Sequence, residues 1–365
     1  MFLLKCKCSD LIFIRSSFIV VLGTLFILSQ AAAEEEEGGR LYTTRQERRE
    51  AGIKHEIADW LSVSGLLELE QIDKRFSLAD FSNQPRQDDS SATLQLGAEA
   101  NPLPWMKGEA IYEYDSAEGK HTLDEAGVSF QRGDFELEMG KLYVPFGEYY
   151  SHFVSGPLIE FGETRGKGAV LSYGRGDRLD ISAFLYHGRA STHGSRNSNV
   201  DWGLAVSGSP NELITFDAGF ISDLADSKDA LLSDEGNRYE RRIPGITAGV
   251  VFEFEELEVT AEAVSTLGSF REFEADRDAP FAWNVEAAFD LASSVELALR
   301  LEGSDELEDE PRYQGGLALT WRARQWATLT AEYLFGVYRQ GFASDSEERE
   351  LKNVHEAGLQ LSLAF

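Results

Sequence analysis

From Trp60 onward, apolar and polar residues alternate almost step by step. Leu61, Val63, Leu67 and Leu69 alternate with Ser62, Ser64, Glu68 and Glu70, and Ile246, Ala248, Val250, Phe252 and Phe254 with Thr247, Gly249, Glu253 and Glu255. Val295, Leu297, Leu299 and Leu301 stand against Glu296, Arg300 and Glu302. Leu329, Ala331, Tyr333, Phe335 and Val337 stand against Thr328, Thr330 and Glu332. Successive side chains of a strand point to opposite faces, so each run predicts a strand with one apolar and one wet face. Sixteen such runs fall near 60–70, 91–100, 105–114, 123–131, 134–143, 167–174, 178–187, 200–208, 212–222, 246–254, 257–266, 281–290, 294–303, 313–322, 326–338 and 353–365.

The connections carry as much information as the runs. Tight turns (Asn101 to Pro104, Arg132-Gly133, Gly174 to Asp177, Gly208 to Asn211, Glu255-Glu256, Ala292-Ser293, Ala323-Arg324) alternate with longer polar loops. That rhythm predicts an all-β fold: a transmembrane antiparallel β-barrel of about sixteen strands over 60–365, with short periplasmic turns and long external loops. Trp60, Trp105, Trp202, Trp283, Trp321 and Trp326 all fall beside expected strand ends, where aromatic girdles meet the bilayer interfaces. Leu359, Leu361, Leu363 and Phe365 share one face of a last strand, a pattern resembling the signal read by outer-membrane insertion machinery. The expected location is the outer membrane of a Gram-negative cell.

Residues 1–33 read as a secretory signal peptide, with Lys5, Lys7 and Arg15, a mostly apolar Leu11 to Leu28 and a small-residue Ala31-Ala32-Ala33. Residues 34–59 are highly charged and helix-favouring, and predict a short periplasmic extension with a helix near Gln46 to Asp59. Cys6 and Cys8 both precede the apolar run, so disulfides and thiolate metal sites are not expected after cleavage. The formal net charge of −29 argues against nucleic acid as a partner, since phosphates would be repelled.

With the apolar set facing lipid, the other set lines the lumen. It comprises Glu68, Glu99, Glu109, Glu113, Glu125, Glu136, Glu138, Asp180, Asp217, Glu253, Glu262, Glu286, Glu296, Glu302, Glu332 and Glu356, with Arg300 as the clear basic member. Charge of one sign inside a narrow passage concentrates counter-ions and repels co-ions. The alternative is that these carboxylates only wet the lumen, with Arg238, Arg241, Arg242, Arg271 and Arg277 of the loops as their cations.

The excursion from Val144 to Gly166 is the third on the external side, and Tyr149, Tyr150, His152, Phe153, Leu158, Ile159 and Phe161 make it too apolar for a loop left in water. An inward fold is expected, with Glu160, Glu163, Arg165, Tyr149 and Phe153 forming a pore constriction; a loop packed on the rim or on a neighbouring subunit is the other reading.

The stretch Gly140-Lys141-Leu142-Tyr143-Val144-Pro145-Phe146-Gly147, then Ser155-Gly156-Pro157-Leu158, Glu160 and Gly162-Glu163-Thr164-Arg165, resembles the signature of the LbtU-type siderophore porins, as does Asp124-Glu125-Ala126 upstream. The resemblance spans Asp124 to Gly168. It implies uptake of a siderophore or ferric chelate without the TonB system, and implies no ligand residue. A TonB-dependent receptor is not expected, because its wider barrel needs a plug domain.

His55, His121, His152, His187, His193 and His355 are scattered and form no HExxH, and no GxSxG occurs, so no catalytic group, metal site or cofactor is expected. Three readings follow: a porin for a ferric chelate, a general cation-preferring porin, or a non-conducting surface or adhesion barrel. Association into a homo-oligomer is left open.

Overall fold

In the computed structural model, the described residues are 54–78, 85–117, 119–174, 178–188, 190–192, 200–227, 238–273, 277–345 and 347–365. The expected signal peptide and most of the charged extension lie outside them. Sixteen long strands form the wall: β1 (Leu61–Leu78), β2 (Arg86–Leu103), β3 (Met106–Asp115), β4 (Lys120–Arg132), β5 (Phe135–Tyr143), β6 (Arg165–Gly174), β7 (Asp180–His187) and β8 (Val200–Asn211), then β9 (Ile214–Ile221), β10 (Gly245–Glu253), β11 (Leu257–Thr266), β12 (Phe281–Ala292), β13 (Val295–Asp305), β14 (Tyr313–Arg324), β15 (Ala327–Val337) and β16 (Leu351–Ala364). Each pairs antiparallel with the next, and β16 pairs back onto β1 from Leu351↔Leu78 to Ala364↔Leu66. Closure removes both sheet edges, so every wall strand has a hydrogen-bonded neighbour on each side, as a membrane interior demands.

Burial separates the two faces. On β13, Leu299 and Leu301 are 46% and 57% exposed, whereas Arg300 and Glu302 between and beside them are 3% and 0% exposed. The outward set forms an apolar belt, and Trp60, Trp105, Trp202 and Trp321 are exposed on it near the strand ends. An apolar belt around a closed antiparallel ring places the chain in an outer membrane.

Two features depart from expectation. β1 and β2 continue as a paired ribbon well beyond 60–70 and 91–100, to Leu78 and back to Arg86. One face of this part carries charges such as Asp73, which lies 2.7 Å from Arg86, while Phe76 and Leu78 on the other face pack against Ala343 and Leu351 of the external loops; the interspersed Lys74 blurs the alternation. Residues His55–Ala58, expected as the end of a helix, instead form a short strand on β1, with His55 opposite Val63. Pairing to an existing strand outweighs weak local helix propensity.

Candidate site: the lumen and its inward loop

The segment between β5 and β6 folds into the ring. Phe146 and Ile159 are fully buried and Phe153, Leu158 and Phe161 nearly so. Gly147, at φ 84°, provides the left-handed turn that sends the chain inward, and a β-carbon there would lie 2.7 Å from a Glu262 carboxylate oxygen. The wall makes room for the aromatic side chains with small inward residues. Ala288, Ala298 and Ala318 surround Phe153, and Gly219 stands where a β-carbon would meet Phe146 at 3.1 Å. A single-turn 3₁₀ helix, Leu158–Gly162, packs against β11, β12 and β13.

Wall carboxylates hold this loop by its backbone. The N–H groups of Glu148 and Tyr149 donate to Glu262, both at 3.1 Å. That of His152 donates to Glu286 at 2.9 Å, that of Val154 to Glu332 at 2.6 Å and that of Leu158 to Glu302 at 2.7 Å. The Ser155 hydroxyl donates to Glu332 at 2.5 Å and also to Glu356. Arg300 completes the clamp, with its Nε on Glu286 at 2.8 Å, its Nη1 on the Ser155 carbonyl at 2.9 Å and its Nη2 on the Ser151 hydroxyl. A loop without regular structure leaves its N–H groups unpaired, and buried N–H groups need acceptors. The acidic wall supplies them.

His152 sits at the centre of this clamp. Burial alone would lower its pKa, but Glu258 and Glu296 accept from its two ring nitrogens, at 3.3 and 2.8 Å, and raise it to about 10. It is therefore an imidazolium at neutral pH, and offsets part of the acidic wall.

The expected constriction residues separate. Phe153 is buried against Arg300, and Tyr149 is packed inside with Gly162 and Glu262 near its ring and backbone. Glu160 lines an external cavity of about 880 Å³, together with Lys74, Phe76, Arg277, Glu310 and Tyr338. Glu163 is half-buried on the returning chain, near enough to act on Tyr149. Arg165 is set by its register. It pairs with Tyr143 at the mouth of β6, on the side shared by Met139 and Leu171, which are 43% and 49% exposed. By alternation it lies on the outer wall, bound to Asp124 and 3.3 Å from the Tyr143 hydroxyl.

Asp124 is the extra residue of a β-bulge, because Ile111 pairs with Glu125 and Tyr112 with Leu123. Nothing in the alternating pattern marks it, since a bulge breaks the period.

The expected lumen charges fall into two groups. Glu296, Arg300 and Glu332 lie under the loop and are nearly fully buried. Glu99, Glu136 and Glu138 belong to the opposite wall, where Glu99 meets Lys107 at 3.5 Å and Lys54 at 3.8 Å. Three loop arginines pair with nearby acids: Arg271 lies 2.7 Å from Glu240, Arg242 2.9 Å from Asp201 at the start of β8, and Arg277 pairs with Glu308, whereas Arg241 donates to the Ser269 carbonyl.

Among the described residues, Asp201, Asp223 and Asp226 form one acidic group close enough to share an ion. Protein contacts engage each of its members. Arg242 neutralises Asp201, Asp223 caps the short turn at Ala225, and Asp226 accepts from the Ala190 N–H at 2.7 Å. Burial and the two neighbouring aspartates push Asp223 up to about 8, so it keeps its proton at neutral pH. The group fastens external loops to the rim.

No family model matches the chain. The UPF0422 protein of Coxiella burnetii is 28% identical over 199 residues, which is 50% of this chain but only 42% of that protein. Among solved structures, the outer-membrane channel DcaP of Acinetobacter baumannii aligns with a TM-score of 0.60 at 14% identity, covering 86% of this chain and 99% of DcaP. An anion-selective porin of Comamonas acidovorans gives 0.61 at 11% identity over 84% and 99% of the two chains. OprB of Pseudomonas putida gives 0.58 at 11% over 88% and 96%. The chain thus has the closed sixteen-stranded fold of the outer-membrane porins.

Proposed function

We propose that this barrel is a diffusion porin whose passage, narrowed by the 144–164 loop, favours cationic solutes. The observation that carries the reading is the loop clamped inside the ring by Glu262, Glu286, Glu302, Glu332 and Arg300. Those carboxylates are engaged by the loop, so their field is partly spent on N–H dipoles and on His152. The acidic excess that remains is on the opposite wall, with Glu99, Glu109, Glu113, Glu136 and Glu138 around Lys54 and Lys107. The external cavity is likewise edged by Glu160, Glu310, Glu306 and Glu308 against Lys74 and Arg277. Burial in that cavity pushes Glu310 up to about 7, which moderates but does not reverse its sign.

A ferric chelate is the finer reading of the solute. Two observations favour it: the stretch resembling the siderophore porins builds the clamped loop, and a cavity of about 880 Å³ stands in front of that loop. Small-molecule sites have volumes of roughly 300–1,000 Å³. Arg165 is engaged by Asp124, and Lys74 and Arg277 line the cavity that such a chelate would enter.

Planar-bilayer recordings of the purified mature chain test the first reading through the reversal potential across a salt gradient. Cation preference is expected. Anion preference overturns the selectivity, and absence of conductance returns the chain to the surface-barrel class. Growth of a deletion strain on ferric chelates under iron limitation tests the second. Unimpaired growth on every chelate leaves the general porin.

A further inference from the structure

The outer wall carries a feature that neither the passage nor the loop uses. Near the external ends of β5, β6 and β7, Lys141 stands directly opposite Lys167, and Lys167 directly opposite His187. All three share the lipid-facing side, on the same alternation as Met139, Leu171 and Leu185, which are 43%, 49% and 57% exposed. Basic side chains placed directly opposite one another across a ladder repel, and sheets ordinarily avoid the arrangement. In a chain of net charge −29, a row of bases is also not a product of composition.

The height of the row on the wall matters. His187 pairs with Val200, two residues outside Trp202, whose 45% exposure marks the external edge of the apolar belt. The row therefore lies where headgroups begin. Its side chains are oriented for that level. Lys141 Nζ donates to the Leu123 carbonyl that the bulge exposes, Lys167 is exposed, and His187 Nδ1 donates to the Gly188 carbonyl at 2.8 Å. Arg165, one step further out on the same face, is committed to Asp124.

We propose that Lys141, Lys167 and His187 bind the phosphate of an anionic lipid in the external leaflet. Lysines act on phosphate as compact point charges, and basic pockets on a membrane wall select charged headgroups. One phosphate across the row would bridge three neighbouring strands. The lipid would then act as a staple across β5, β6 and β7 beside the two ends of the inward loop.

Native mass spectrometry of the full mature chain in neutral detergent tests this, with phosphatidic acid, phosphatidylcholine or inorganic phosphate added. The wild type is expected to retain phosphatidic acid over phosphatidylcholine, and Lys141→Gln with Lys167→Gln to weaken that retention about tenfold, as for loss of charge-assisted contacts. Arg322→Gln with Arg324→Gln, at the other end of the wall, is expected to behave as wild type. If the double variant does not give the folded gel-shift species, Lys167→Gln alone carries the comparison, since its side chain is exposed. Unchanged retention overturns the proposal. So does equal occupancy by inorganic phosphate, which would make the row a free-anion site, or loss of self-association without loss of lipid, which would make it a contact between copies.

Discussion

The guanidinium of Arg300 lies 4.2 Å from the centre of the Phe153 ring, so the wall of β13 and the tip of the inward loop meet at a cation–π contact inside the ring. The same guanidinium bonds Glu286 and the Ser155 carbonyl. It therefore ties a wall carboxylate to the loop in one rigid fork. Replacing Arg300 by Gln leaves Glu286 and Glu302 buried without their cation, a loss of about 3–5 kcal/mol when a buried pair is broken. Arg300→Gln is expected to free the loop tip, raise single-channel conductance and lower the temperature of the heat-dependent gel shift. Wild-type conductance in a folded Arg300→Gln barrel would show that the loop is held without the arginine.

His152 makes the clamp sensitive to alkali. Its pKa is raised in the folded state from 6.5 to about 10. The stabilisation is thus fully present below about 6.5 and is lost as pH rises through about 10. Between those values the unfolded imidazole has released its proton and the folded one has not. Wild-type conductance is expected to rise, and loop protection from protease to fall, as the pH is taken from 7 through about 10. His152→Gln should show an open, flat profile over the same range. A wild-type profile equally flat would mean that Glu258 and Glu296 hold an uncharged ring.

The barrel was legible because lipid and water impose opposite demands on alternate residues, and Leu299, Arg300 and Leu301 record them without ambiguity. What the alternation does not encode was missed. The outer part of β1 and β2 mixes Lys74 with Ile72, Phe76 and Leu78 on its inner face, and Asp73 and Arg86 pair on the other, so no clean period marks it. The bulge at Asp124 adds one residue and hides a buried acid within an ordinary strand. Loop folding was legible from the apolar content of Phe153 and Ile159, but not its anchors, because Glu262, Glu286, Glu302 and Glu332 are more than a hundred residues away in sequence. The pairing of Arg165 with Tyr143 and its bond to Asp124 are likewise not written in the loop composition, because both partners lie on other strands.

That bond makes a clear prediction for Arg165. Asp124 is only 5% exposed and its ion-pair partner is Arg165. Removing the guanidinium leaves a buried carboxylate without that ion-pair partner. Arg165→Ala is expected to lower the thermal stability of the folded barrel while leaving the reversal potential unchanged. Arg165→Ala with Asp124→Asn should recover most of the stability, because no charge is then left unpaired. A shifted reversal potential in Arg165→Ala, with stability intact, would put the side chain in the lumen after all.

Gly65 and Phe365 test how the ring closes. Their backbones exchange both hydrogen bonds, Gly65 N–H to Phe365 O at 2.5 Å and Phe365 N–H to Gly65 O at 2.8 Å. The phenyl ring folds back over the glycine, where a β-carbon would lie 2.4 Å from Cε2 and 2.6 Å from Cζ of the ring. Real β-carbons do not approach that closely, so a side chain at 65 has to push the ring off the wall. Gly65→Val is expected to reduce the fraction of chains that reach the heat-modifiable folded form in lipid vesicles. Phe365→Ala should reduce it for a different reason, by removing the apolar cover from the β1–β16 seam. The two effects share one contact and are expected not to add. In the Phe365→Ala background, Gly65→Val should cost little further, since no ring remains to displace. Full additivity in the double variant would mean that Gly65 is needed for the strand itself, and that the ring over it is incidental.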